Sequence, residues 1–195
     1  MVGVGGQGVI LMSELLGNAA VVDGVSVRGS EVLGMAVRGG SVVSAIRMGS
    51  EVYGPLIPAG KCDILLGMEP SEALRNIVYL SKSGSVILNT QIVVPFTVSL
   101  GKSDYPGLEQ IVDKIKGVAG RVVVLNAVQI AEEIGSPLSA NIVMLGALFG
   151  TGQIPVKIET IKKVVRARFP AKLSSGNIKA FDLGYQMYHS LSSKS

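Results

Sequence analysis

Apolar positions in this chain follow two rhythms, short continuous runs and helical stripes, and the two alternate from the first residues to about position 126. Continuous runs stand at 62–68, 86–88 and 122–125, the form taken by parallel strands covered on both faces. A helical stripe through Ile10, Leu11, Leu15 and Ala19 runs to about Val22 and is broken by Asp23-Gly24. Residues 25–28 read as a second strand. The following stretch, 29–41, fits neither period and reads as a loop or a short helix. Residues 41–48 form a strand, Gly49-Ser50 a two-residue turn, and 51–53 a returning strand. A hairpin is foreign to an all-parallel sheet, so it reads as an inserted antiparallel element. Pro55 and Pro58 make the next stretch an ordered loop, Lys82-Ser83-Gly84 a turn, and 92–95 an edge strand. After the Tyr105-Pro106-Gly107 turn, Leu108, Ile111, Val112 and Ile115 line one face of a helix ended by Gly117.

Beyond Asn126 the pattern becomes helical. One helix covers 127–134 and stops at Gly135-Ser136-Pro137. Ser139 is the expected N-cap of a second, whose residues 141–148 are apolar nearly all round and so belong in a core or an interface. Pro155 opens a third, with Ile158, Ile161 and Val165 on one face and Pro170 at its end. Ser174 or Ser175 is expected to cap a fourth, carrying Ile178, Phe181, Tyr185 and Tyr188 at helical spacing; the Ser/Lys end from Ser190 is expected to fray. The fold class read from this order is α/β: a doubly wound, mostly parallel sheet with an inserted hairpin and C-terminal helices. One domain is expected over 1–195, with a sheet core in 1–126 and a helical part in 127–195.

Composition changes this picture in one respect. Charged residues make up only 16% of the 195, against 48% hydrophobic residues and 25 glycines besides. An ordinary soluble domain carries roughly 25% charge. With no apolar run near the ~20 residues that span a bilayer and no secretory leader at the start, so apolar a chain is expected to hide surface against other subunits. The net charge of +4 is modest. Six basic residues lie between Lys157 and Lys172 against one acid, Glu159, so they read as a solvated helix face and no nucleic-acid partner is expected. Cys62 and His189 are the only residues of their kinds. That excludes a disulfide framework, a Cys-ligated Fe–S or zinc site and a triad-type site built within this chain.

Three places carry candidate chemistry. Gly3, Gly5 and Gly8 stand in the G-x-G-x-x-G spacing ahead of the first helix. In doubly wound sheets such a turn lets backbone N–H groups approach an anion at the helix N-terminus. Only Met1 and Val2 precede Gly3, which implies a very short first strand or a late beginning and weakens a dinucleotide reading. A ligand- or partner-facing loop through Gly5, Gly6, Gln7 and Gly8 and a plain tight turn stand as equal readings. Arg38-Gly39-Gly40-Ser41 joins a fork-shaped cation, two permissive backbone positions and a hydroxyl, which suits a phosphate or carboxylate; a turn with Arg38 solvated is the simpler reading. Glu69 follows a strand directly. It fits either a ligand site or an acid at a helix entry.

Four stretches together resemble the gamma subunit, or gamma domain, of 2-oxoacid:ferredoxin oxidoreductases: Gly3-Val4-Gly5-Gly6-Gln7-Gly8, Arg38-Gly39-Gly40-Ser41, residues 59–66 running into Glu69, and residues 141–147. Gly54-Pro55-Leu56-Ile57-Pro58 and residues 68–74 lean toward the indolepyruvate type. The resemblance implies a cytoplasmic complex that oxidatively decarboxylates a 2-oxoacid to acyl-CoA. Thiamine diphosphate, Fe–S clusters and coenzyme A would serve in the complex, none of them held by this chain. The implied partners are thiamine-binding catalytic subunits and, through the complex, ferredoxin. The chain's own role would be non-catalytic: packing on the catalytic subunit and helping to enclose its active site, with Gly5 to Gly8 and Arg38 to Ser41 facing the partner or its ligand. Two other readings remain. A free-standing NAD(P)- or nucleotide-binding protein would use Arg28 or Glu31 at the ribose. A structural oligomer, such as a homodimer of the isolated chain, would need no ligand.

Overall fold

A computed structural model describes residues 1–34, 36, 38–101 and 104–193. Among the described residues, six strands and eight α-helices follow one another as β1 (Val2–Val4), α1 (Val9–Val22), β2 (Val27–Leu33), β3 (Ser41–Met48), β4 (Cys62–Gly67), α2 (Pro70–Arg75), β5 (Leu80–Asn89), α3 (Phe96–Ser99), α4 (Leu108–Lys116), β6 (Arg121–Leu125), α5 (Ala127–Glu133), α6 (Ala140–Gly150), α7 (Ile158–Arg168) and α8 (Ala171–Ser192). The sheet order is β2-β3-β1-β4-β5-β6. β1, β4, β5 and β6 run parallel, while β3 is antiparallel to both β1 and β2. Helices cover both faces. α1, α5, α6, α7 and α8 enclose the larger core around Met12, Leu66, Ile87 and Phe181. α2 and α4 enclose the smaller one around Val2, Leu65, Ile111 and Ile115. This is the doubly wound α/β layout with a hairpin and C-terminal helices that the apolar rhythm implied. Among the described residues no helix is long and apolar enough to cross a membrane.

The hairpin is real and keeps 41–48 as one strand, β3, but its partner is β2 and not 51–53. β2 pairs with β3 over its whole length, from Val27 opposite Met48 to Leu33 opposite Val42, so 29–33 is strand and neither loop nor helix. Residues 51–53 are not a strand. Gly49 turns the chain away at φ 142, the Arg47 guanidinium donates to Gly54 O at 3.0 Å, and Val52 is buried. The expected strand at 92–95 is irregular coil, since Pro95 has no N–H to give a ladder and leads instead into α3. β5 starts at Leu80, and its register with β4 shifts between Cys62 and Ile64, which absorbs Lys82-Ser83-Gly84 as an irregularity inside the strand. Met35, Val37 and the last two residues of the Ser/Lys end, Lys194 and Ser195, lie outside the described residues; α8 itself continues to Ser192.

Several helix starts differ from expectation, and at α6 and α7 long-range partners take the place of local caps. The Ser139 hydroxyl donates to Asn177 Oδ1 at 2.8 Å and does not cap α6. α7 begins at Ile158 because Asp23, at the far end of α1, accepts from Lys157 N and from Thr160 Oγ1, both at 2.7 Å. α8 begins directly after Pro170, ahead of Ser174 and Ser175. The apolar helix α6 lies in the chain's own core, buried from Asn141 to Gly150. It crosses α8 at backbone contact. A Cβ on Gly146 would strike the Phe181 carbonyl, and one on Gly184 the Val143 carbonyl.

Candidate functional site

The parallel strands end together, and their ends are stitched by side-chain amides. Met68 O, just past β4, accepts from Gln7 Nε2 at 3.1 Å and from Asn89 Nδ2 at 3.0 Å. Asn89 ends β5, is fully buried, and accepts from Ala127 N at 3.0 Å, which fixes the start of α5. Asn126 caps that helix through Gln129 N at 3.0 Å. Gln7 also accepts from Val4 N at 2.9 Å, so its side chain closes the glycine turn and ties it to β4. It is spent inside the protein. Gly8 takes the left-handed conformation at φ 76 as N-cap of α1, and a Cβ there would strike the Asn141 side chain. Gly6, at φ 101, is exposed with open space around it.

The two glycine motifs form one corner. Gly5 N donates to Gly40 O at 2.8 Å, and Gly39 N donates to Gly5 O at 3.2 Å. Backbone bonds across 34 intervening residues thus place Arg38-Gly39-Gly40-Ser41 beside Gly5-Gly6-Gln7-Gly8. Arg38 is exposed, and its guanidinium meets no acceptor among the described residues. Ser41 is not available in the same way. Its hydroxyl donates to Glu72 Oε2 at 2.6 Å, and Glu72 also pairs with Arg75 at 3.4 Å. The free groups of the corner are therefore the Arg38 fork and the backbone around Gly6 and Gly39.

Glu69 is a helix-entry acid. Fully buried, it caps α2 through Glu72 N at 2.9 Å and accepts from Ser71 Oγ at 2.6 Å and Tyr105 OH at 2.5 Å. Burial, together with this carboxylate, pushes the Tyr105 phenol well above its ordinary range. Tyr105 and Glu72 are parts of the arrangement that the sequence did not flag. A Glu at the cap and another three residues on resembles a capping box and could have pointed to Glu72. Nothing local links Tyr105 to a residue 36 positions away. Burial also raises the Cys62 thiol, which donates to Ile64 O at 3.1 Å. His189 stacks edge-on against Tyr185, with ring centroids 4.7 Å apart, at the end of α8 and far along the chain from the corner.

The topology leaves little room for a dinucleotide. The strand beside β1 on the hairpin side is antiparallel, and Arg28 and Glu31 lie on the edge strand beyond it. Val4 stands opposite Ser41, Glu31 opposite Ser44 and Arg28 opposite Arg47. At strand rise, Glu31 and Arg28 lie about 10 and 20 Å back along the strands from the level of the glycine turn, and two strands to the side. Exposed apolar side chains flank the carboxyl edge instead: Val32 and Leu33 beside the corner, and Ile92 and Val94 past the end of β5.

Comparison with known proteins shows the family. The chain is 43% identical to the indolepyruvate oxidoreductase subunit IorB of Pyrococcus horikoshii, covering 93% of this chain and 91% of that protein. It is 42% identical to the protein of the same name from Archaeoglobus fulgidus, over 95% of this chain and 92% of that one. In fold it is similar to the crystal structure of the keto/oxoacid ferredoxin oxidoreductase gamma subunit from Geobacter sulfurreducens PCA, with a TM-score of 0.69, 26% identity, and 97% and 96% of the two chains covered. The model of the pyruvate ferredoxin/flavodoxin oxidoreductase family matches residues 1–187, and the chain belongs to that family.

Proposed function

We propose that this chain is the gamma-type, non-catalytic subunit of an indolepyruvate-type 2-oxoacid:ferredoxin oxidoreductase. It packs on the thiamine-bearing catalytic subunit and presents the corner of Gly5, Gly6, Gly8, Arg38, Gly39 and Gly40 to that partner, or to an anionic ligand held there. Gln7 and Ser41 serve the same corner indirectly, by holding its two loops in place. The observation that carries the reading is the pair of backbone bonds between Gly5 and the Arg38 loop, which joins two distant glycine motifs around one unpaired guanidinium. The exposed apolar residues at the same edge, Leu33, Ile92 and Val94, support a protein surface there in place of open solvent.

Thiamine diphosphate and coenzyme A belong, on this reading, to the rest of the complex, and so do the Fe–S clusters, since a single cysteine cannot ligate one. Thiamine supplies the decarboxylation chemistry when bound to its own subunit. What this chain contributes is backbone that a partner can approach closely, because Gly6 and Gly39 carry no side chain, and a planar cation suited to two oxygens of one anionic group. The cell compartment follows from the reading as cytoplasmic.

Co-expression with candidate thiamine-binding subunits tests this directly. A brown complex retaining both chains through gel filtration is expected. Recovery of this chain alone, with the catalytic subunit eluting separately, would count against it.

A further inference from the structure

The entry to α2 holds two buried carboxylates, Glu69 and Glu72, where one is enough to start the helix. Glu69 fills that role: its carboxylate accepts from Glu72 N at 2.9 Å and from Ser71 Oγ at 2.6 Å. In a capping box the second acid turns back to the N–H of the first. Glu72 turns elsewhere. Its Oε2 accepts from the Ser41 hydroxyl at 2.6 Å, 31 positions away at the start of β3, and its Oε1 meets the largely exposed Arg75 at 3.4 Å. Burying a second carboxylate beside the first is costly, and a neutral hydroxyl with one long ion pair offsets little of that cost. α2 itself gains little from the arrangement, so its reason lies at the other end of the bond.

Ser41 is the base of the loop that carries Arg38. Its carbonyl accepts from Gly34 N at 2.8 Å, which closes the loop over residues 34–41. Gly40 O and Gly39 N both bond Gly5, just past β1, and Gly40 is packed so closely that a Cβ there would strike the Ala36 carbonyl. These are backbone contacts. Among the described residues, the bond from Ser41 to Glu72 is the only side-chain hydrogen bond at this base. A carboxylate accepts and cannot donate, so the hydroxyl is committed to it in one direction. Glu72 is held in turn by its own N–H on Glu69, whose other oxygen takes Tyr105 OH at 2.5 Å. A continuous series of bonds therefore runs from Tyr105 through α2 to the loop of Arg38.

We propose that Glu72 is a positioning residue for Arg38. Through Ser41 it fixes the base of the loop, so the exposed guanidinium meets its anionic partner from a loop that is already ordered, and binding loses less conformational freedom. The proposal rests on the reading of the corner given above, in which Arg38 faces the catalytic subunit or an anion held there. Glu72 is buried and touches neither; it acts only through Ser41.

The test titrates the full chain into the complex stripped of it and follows 2-oxoacid-dependent ferredoxin reduction. The readout is the chain concentration at half-maximal rate. Arg38→Ala is expected to raise it about tenfold. Ser41→Ala and Glu72→Met break the same bond from either side; each is expected to raise it about threefold, and the two combined no more than either alone. Should Glu72→Met fail to fold, Ser41→Ala carries the test, since it removes only a half-buried hydroxyl. The deciding comparison is Ser41→Ala in the Arg38→Ala background, where no further increase is expected. A bond that merely stabilised the fold would multiply the half-maximal concentration by the same factor with or without Arg38. That result would overturn the proposal while leaving Arg38 at the interface, and so would a Ser41→Ala chain that behaves as wild type. An Arg38→Ala chain that behaves as wild type would instead remove the corner from the interface, and the role of Glu72 with it.

Discussion

Arg38 and Tyr105 mark the two ways a single residue acts in this protein. Arg38 is exposed and meets no polar partner among the described residues, so its removal is expected to leave folding unaffected to within about 0.5 kcal/mol. Arg38→Glu is expected to leave the melting curve of the isolated chain unchanged, while lowering the activity of the assembled complex about tenfold or more, since a cation facing an anion becomes a like charge. An unchanged rate would remove Arg38 from the interface. Tyr105 is the opposite case, since its hydroxyl is committed to the buried Glu69. Tyr105→Phe leaves that carboxylate one donor short and is expected to cost about 1–3 kcal/mol, read as a lower melting temperature. Its pH dependence has a definite sign. The phenol's folded-state pKa is raised above its ordinary value of 10.0, so the stability it contributes is complete below that value. It is lost as pH climbs above it toward the folded pKa. Wild type should lose stability above that pH more steeply than Tyr105→Phe; parallel profiles would contradict the assignment.

At the level of elements, the crossing of α6 and α8 is the tightest joint. Gly146 and Gly184 each lie against a carbonyl of the facing helix, so no side chain can enter without moving a helix axis. Gly184→Ala is expected to lower stability by at least about 2 kcal/mol despite the helix propensity of alanine, a fall of about 4–8 °C in melting temperature. A neutral or higher melting temperature would mean that the helices do not approach as closely. The helical stripes that built this joint were legible in the sequence: α6 by its apolar surface all round, α8 by Phe181 and Tyr188, both buried. β3 was legible too, at 41–48, but most of its partner β2 was not. Gly29, Ser30 and Glu31 lack the alternation of a half-buried strand because β2 is exposed on most of both faces, leaving no hydrophobic period to read. The caps failed for a related reason. Asp23 serves α7 from more than 130 residues away, and no local pattern encodes such a partner. At the corner, each glycine motif was visible on its own, but the backbone bonds between Gly5, Gly39 and Gly40 arise only once β1 and β3 pair.

For the whole molecule, scarce charge and membership of an oxidoreductase family point outward. The described residues contain no group of three His, Cys, Asp or Glu side chains arranged to hold a metal ion, and the buried carboxylates Glu69 and Glu72 are occupied in fixing α2, Tyr105 and Ser41. The larger core joins the sheet to α5, α6, α7 and α8, so we expect the two parts, 1–126 and 127–195, to unfold in one transition; two separated transitions in calorimetry would contradict that. The most direct measurement is ferredoxin reduction by the purified complex before and after this chain is stripped from it. If this chain helps to enclose the active site, the 2-oxoacid-dependent rate collapses on removal and returns when the wild-type chain, but not Arg38→Glu, is added back. A stripped complex that reduces ferredoxin at the full rate would contradict that role.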